Sequence, residues 1–163
     1  MAVGIVGEIA LTSVTISVTT RRGTMSVQAE IYVSCDDEEA IRYSSEPATF
    51  KDREQYTSFT VLELSTLWAK LRGIEWHVSL LDGFPTVLLQ GGGERSISRL
   101  PTAMTVELSG LTPEQISIAA TKWATTDELA CEAADVQPIV EGLVRLAKRA
   151  SDTGRNMYFW NCV

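Results

Sequence analysis

Thr60 and Glu63 stand three residues apart at the head of an apolar stripe, and that spacing commits the middle of the chain to a helix. It is the spacing of a capping box, in which each side chain satisfies a backbone N–H that a helix leaves unpaired. Phe59, just before the cap, is placed to staple onto Leu64, and Leu64, Leu67, Trp68 and Leu71 recur along one helical face. Gly73 is the expected stop, because glycine enters the left-handed conformation without a Cβ clash. From Ile74 the apolar period changes to two, with Ile74, Trp76, Val78 and Leu80 on one side and Glu75, His77 and Ser79 on the other. That alternation predicts a strand directly after the helix.

Sheet signals lie on both sides of this unit. Val3, Ile5, Gly7, Ile9 and Leu11 alternate, as do Val14, Ile16 and Val18, with a phase slip at Thr12 and Ser13 that a bulge, a tight turn or a short helix would produce. Arg21-Arg22-Gly23 reads as a turn into a strand of Met25, Val27, Ala29, Ile31 and Val33, which together predict an antiparallel hairpin with one wet face. Residues 35–56 read as a short helix from Asp36 to about Arg42, capped by Ser34, and then as loop. Asp82 to Pro85 is a turn, Thr86–Gln90 and Glu94–Leu100 read as strands about the three glycines at 91–93, and Met104, Val106 and Leu108 alternate as another strand.

The last third reads as helical. Thr112-Pro113-Glu114-Gln115 joins an N-cap, a proline at the first helical position and a capping-box glutamine, ahead of Ile116, Ala119, Ala120 and Trp123 on one face. Thr125 to Ala134 reads as a second helix. A third, started or kinked at Pro138, puts Ile139, Leu143, Leu146, Ala147 and Ala150 on one stripe and ends near Gly154. Met157–Val163 is aromatic and β-prone, and its terminal position suggests an edge strand or a dimer edge. The expected fold is α+β, a mostly antiparallel sheet of five to seven strands with a central helix, and with C-terminal helices packed mainly on one face.

A chain of 163 residues fits one domain with a sizeable core. Cys35, Cys131 and Cys162 are odd in number and widely spaced, which suits reduced thiols in a cytoplasm better than a disulfide framework, and none of them pairs at metal-site spacing. The apolar N-terminus lacks a basic leader and contains Glu8, so it reads as mature structure rather than a signal peptide, and no apolar run is long enough to span a bilayer. A net charge of −7 disfavours phosphate backbones and anionic membranes as partners.

The acidity is segregated. Asp36, Asp37, Glu38 and Glu39 run together, and between Glu107 and Glu141 seven carboxylates, Asp127, Glu128 and Glu132 among them, face Lys122 alone. Consecutive carboxylates point in different directions and lack the alternate-position pattern of a calcium loop, so no metal or cofactor is expected. His77 is the only histidine, and no local motif gives it a nucleophile, so no catalytic residues are assigned. His77, with Arg95 and Arg99 on one face of their predicted strand, is the candidate set for a small anionic ligand. The expected function is a non-enzymatic inhibitor or immunity-type module. Its acidic residues Asp36–Glu39 and Asp127, Glu128 and Glu132 would cover a basic site on a protein partner such as a nucleic-acid-acting enzyme. Two alternatives stay open: a small enzyme or ligand-binding domain with a pocket between sheet and helices, and an assembly subunit pairing as a homodimer through Met157–Val163.

Overall fold

A computed structural model describes residues 27–163. Five strands, β1 (Gln28–Ser34), β2 (Arg53–Thr57), β3 (Thr86–Gln90), β4 (Arg95–Arg99) and β5 (Asn156–Cys162), form one sheet in the order β2-β1-β5-β4-β3. Every neighbouring pair is antiparallel. The predicted first arm of the N-terminal hairpin and its turn lie outside the described residues. Strand β1 pairs with β2 on one side and with β5 on the other.

Helix signals built on caps hold. In α2 (Val61–Arg72) the Glu63 carboxylate accepts the Thr60 N–H at 2.8 Å and the Thr60 hydroxyl accepts the Leu62 N–H at 3.2 Å. Gly73 ends the helix at φ 64°, in the left-handed region that favours glycine. The Thr112–Gln115 box opens α4 (Pro113–Ala124). Helix α5 spans Ala133–Thr153, starting ahead of Pro138 and carrying it inside, and stops at Gly154. A short α1 (Asp37–Ile41) follows β1, capped by Asp36 rather than Ser34.

Signals built on alternation fail in two places. Residues 74–80 are not a strand: the chain is irregular to His77 and then enters a 3-10 turn over Val78–Gly83. The His77 ring nitrogen Nδ1 accepts the Ser79 N–H at 3.2 Å and caps that turn, while the Trp76 indole N–H donates to the Ser65 hydroxyl at 2.8 Å and holds the segment against α2. Trp76 is therefore partly exposed rather than a core residue. Met104, Val106 and Leu108 lie in α3 (Thr102–Ser109), not a strand. Met104 and Leu108 are four apart and buried, whereas Val106 between them is 60% exposed, which is helical spacing.

Two further expectations are corrected. The helix expected over Thr125–Ala134 is a turn over residues 125–132, with Ala133 and Ala134 opening α5: the Thr125 and Thr126 hydroxyls bond back to the Lys122 and Trp123 carbonyls and Ala130 adopts φ 43°. The C-terminal strand is the middle strand of the sheet, hydrogen-bonded on both sides, so it offers no free edge for pairing with a second copy.

Alternation along the strands builds two cores. On one face, Ile31, Val33, Met157 and Phe159 pack beneath α2, α3, α4 and α5 with Leu64, Leu67, Leu108, Trp123 and Leu143. On the other, Tyr32, Tyr158 and Ile97 are covered by Ala40, Tyr43 and Phe50 from α1 and the turns after it. The three consecutive aromatics of β5 are thereby accommodated. Phe159 faces the helices, Tyr158 lies under the α1 cover, and Trp160 is half-buried with its ring 6.3 Å from Tyr43.

Candidate functional site

The run Asp36–Glu39 is largely consumed by the fold. Asp36 accepts the Glu39 N–H at 2.8 Å as the cap of α1. Asp37 receives the Tyr158 hydroxyl at 2.8 Å and pairs with Arg99 at 3.2 Å, which joins a predicted docking carboxylate to a predicted ligand arginine. Glu39 accepts the Cys35 N–H and the Ser34 hydroxyl, both at 2.7 Å. Only Glu38 of the four has no side-chain hydrogen bond or ion pair among the described residues. The run is thus a latch that fastens α1 over the second face of the sheet.

The hydrogen bonds from Cys35 N–H, the Cys35 thiol and the Ser34 hydroxyl hold the Glu39 carboxyl down from its ordinary 4.5 to about 2. A depressed carboxyl stabilises the fold above its unfolded-state pKa, and that contribution is lost as pH falls through the folded value. Relative to Glu39→Gln, the native chain is expected to be more stable by on the order of 1 kcal/mol at neutral pH, solvent screening keeping the figure small. The gap should close between about pH 4.5 and pH 2, as urea unfolding of both chains across that range checks. A gap that does not change with pH would separate Glu39 from the latch.

The second acidic group is placed differently. Asp127 and Glu128 lie in the turn between α4 and α5, held in place by the buried Leu129, and Glu132 caps α5 with its N–H bonded to the Asp135 carboxylate at 3.3 Å. Asp127, Glu132 and Asp135 are exposed and Glu128 is half-exposed. Among the described residues none of the four belongs to an ion pair, since all five salt bridges lie elsewhere. The corner belongs to the helix layer and α1 to the opposite cover, so the two acidic groups sit on opposite sides of the sheet and cannot form one continuous surface.

His77 is exposed and caps the turn it opens: its Nδ1 accepts the Ser79 N–H at 3.2 Å and lies 3.0 Å from the Ser79 hydroxyl, the one side chain it is hydrogen-bonded to among the described residues. Arg95 is exposed on the same face of β4 as the half-buried Arg99. His77 belongs to the segment held against α2, in the helix layer, so the three do not converge on one site. Cys35 and Cys131 are not primed as nucleophiles. The Glu39 contact pushes Cys35 up to about 11, and burial, with Asp135 and Glu132 nearby, raises Cys131.

Arg145, Lys148, Arg149 and Arg155, which make the last segment of the sequence basic, are joined in the structure by cations from far upstream. Two hollows of about 390 and 370 Å³ adjoin along the seam between β2, the chain leading into it and the C-terminal half of α5, sharing Lys51, Asp52 and Arg149. Between them they gather Arg42, Lys51, Arg53, Arg145, Lys148, Arg149 and Arg155, half of the 14 Lys and Arg side chains in the sequence, against the carboxylates of Glu39, Glu46, Asp52, Glu54 and Asp152. Arg149 pairs with Asp52 at 3.0 Å and Arg145 with Glu54, while Lys51, Lys148 and Arg155 have no ion pair among the described residues. The charges come from segments about a hundred residues apart, so no local motif could reveal them. The apolar core fills the centre of the space between sheet and helices, and the hollow of about 370 Å³ lies at its margin, between β2 and α5.

No family model, no curated protein and no solved structure matches this chain. Among the described residues no helix is long and apolar enough to cross a membrane, and no three or more His, Cys, Asp or Glu side chains are grouped to hold a metal ion.

Proposed function

We propose that the protein is a non-enzymatic protein-binding module that docks a basic partner protein on the corner between α4 and α5. The observation that carries this reading is the state of its carboxylates. Asp127, Glu128, Glu132 and Asp135 stand together at one end of the helix layer, with no counter-ion from the described residues, whereas Asp36–Glu39 are mostly spent on holding α1. Like charges left together destabilise a fold slightly, and a cationic partner would relieve that cost while being steered by it. The buried Leu129 and the capped start of α5 keep the corner rigid, so little ordering entropy would be lost on docking. The upward-shifted thiols of Cys35 and Cys131 and the use of His77 as a turn cap support a binding role over a nucleophilic one.

The test is stoichiometric capture of a basic protein from the native lysate, followed by measurement of that pair in isolation. Asp127→Lys with Glu128→Lys is expected to weaken binding at least tenfold and to flatten its salt dependence, while Glu38→Lys leaves both unchanged. Equal loss from the two variants, or none from the corner variant, removes the corner from the reading.

A further inference from the structure

We infer that the outer edge of β2 is a strand-addition site for an extended acidic peptide segment. The backbone supplies the first half of the argument. In the antiparallel pair with β1, the Val33 N–H donates to the Asp52 carbonyl at 3.0 Å and the Ser58 N–H to the Val27 carbonyl at 2.8 Å, which fixes the alternation of inward-facing residues. Asp52, Glu54, Tyr56 and Ser58 therefore turn their backbone groups toward β1. Arg53, Gln55 and Thr57 turn theirs outward, and among the described residues no strand pairs with that side. A row of outward N–H and C=O groups is a template for another strand.

Charge supplies the second half and chooses the occupant. The hollows beside the edge carry Lys51 and Lys148, and Arg155 farther in, past β1, three exposed cations with no ion pair among the described residues, against two lining carboxylates without one, Glu46 and Asp152. Cations beside an edge discourage pairing with neutral or basic strands. An acidic strand meets the opposite situation. Its backbone extends the sheet, its carboxylates on the helix side face Lys148 and Arg149, and those beyond the start of β2 face Lys51 at the mouth of the hollow of about 390 Å³. The site is independent of the acidic corner: it takes the opposite charge and lies toward the opposite end of α5, a helix about 30 Å long.

The probe is a synthetic ten-residue peptide of alternating glutamate and valine, titrated into the full chain with fluorescence anisotropy and backbone amide NMR. Saturable binding is expected, weakening as salt rises, with hydrogen-exchange protection gained at Arg53, Gln55 and Thr57. Methylating alternate peptide nitrogens, which removes ladder hydrogen bonds and leaves the charge, should weaken it at least tenfold. So should Lys51→Glu with Lys148→Glu, and Lys148→Glu alone serves if the pair perturbs folding, as circular dichroism reports. Absence of binding overturns the proposal. Equal affinity for the N-methylated peptide or for a lysine-valine counterpart does so too, as does protection of the same amides by raising protein concentration without peptide, which assigns the edge to a second copy.

Discussion

Replacing Trp123 with alanine is expected to lower the unfolding free energy by about 3–5 kcal/mol, the range for deleting a large buried aromatic. The residue is fully buried in α4, and its indole N–H reaches across to α2, 3.0 Å from the Glu63 carbonyl and 3.1 Å from the Thr66 hydroxyl. Its ring meets Phe59 edge-on at 5.7 Å, and Phe59 in turn meets Tyr56 at 5.7 Å and Phe159 at 5.8 Å. One side chain therefore couples two helices to β2 and β5. Trp123→Phe keeps much of the apolar contact and loses the indole hydrogen bonds, so it should cost about 1–2 kcal/mol. Chemical denaturation of the three chains with an unchanged dependence on denaturant would isolate the native-state effect. A loss below about 1 kcal/mol for the alanine variant would mean that α4 docks on α2 without this contact.

The physical basis of Trp123 also explains why its environment could be read from sequence. Caps and glycine stops are local chemistry: Thr60 with Glu63, Thr112 with Gln115, Gly73 and Gly154 each act within a few residues, so their signatures survive any tertiary arrangement. Alternation does not survive in that way. Ile74, Trp76 and Val78 alternate in a segment that runs irregularly past α2 and leaves all three exposed, and Met104 to Leu108 satisfies periods of two and four at once. Strand β2 was read as loop because only Tyr56 of its five residues is buried; it is held by pairing with β1 and by α5, partners remote in sequence. The position of β5 was misjudged for a related reason. A chain terminus suggests an edge, yet its aromatic residues need cover on both faces, and that demand is met in the middle of the sheet.

Charge was legible as composition and illegible as placement. The sequence separates two acidic regions correctly, but whether a carboxylate is free depends on what reaches it. Arg99 and Tyr158 reach Asp37 from 62 and 121 residues away. No cation among the described residues reaches Asp127. The basic seam is the converse case. Arg145, Lys148 and Arg149 look like ordinary cations near a helix C-terminus, and only the antiparallel packing of β2 and α5 sets them beside Lys51 and Arg155.

The same seam yields a prediction in which two ordinarily favourable substitutions oppose each other. Glycine inside a helix costs about 1 kcal/mol relative to alanine, so Gly142→Ala in α5 should stabilise the chain if propensity alone decided. A Cβ at Gly142 would lie 2.7 Å from the Tyr56 hydroxyl oxygen, closer than such atoms can approach. Tyr56 has little room to yield, being 3% exposed and edge-on to Phe59. Gly142→Ala is therefore expected to destabilise by about 1–2 kcal/mol net of its helical gain. Tyr56→Phe removes that oxygen, which has no hydrogen-bond partner among the described residues, and should be neutral or stabilising by up to about 1 kcal/mol. With the oxygen gone, the next atoms facing the new methyl belong to Glu54 at 3.5 Å, an ordinary contact. In the Tyr56→Phe background Gly142→Ala should then stabilise, so the sign of one substitution is reversed by the other. A double-mutant cycle read by urea unfolding would report about 2 kcal/mol of coupling. A coupling near zero would show that α5 does not press on the Tyr56 hydroxyl, and that the glycine is needed there for another reason.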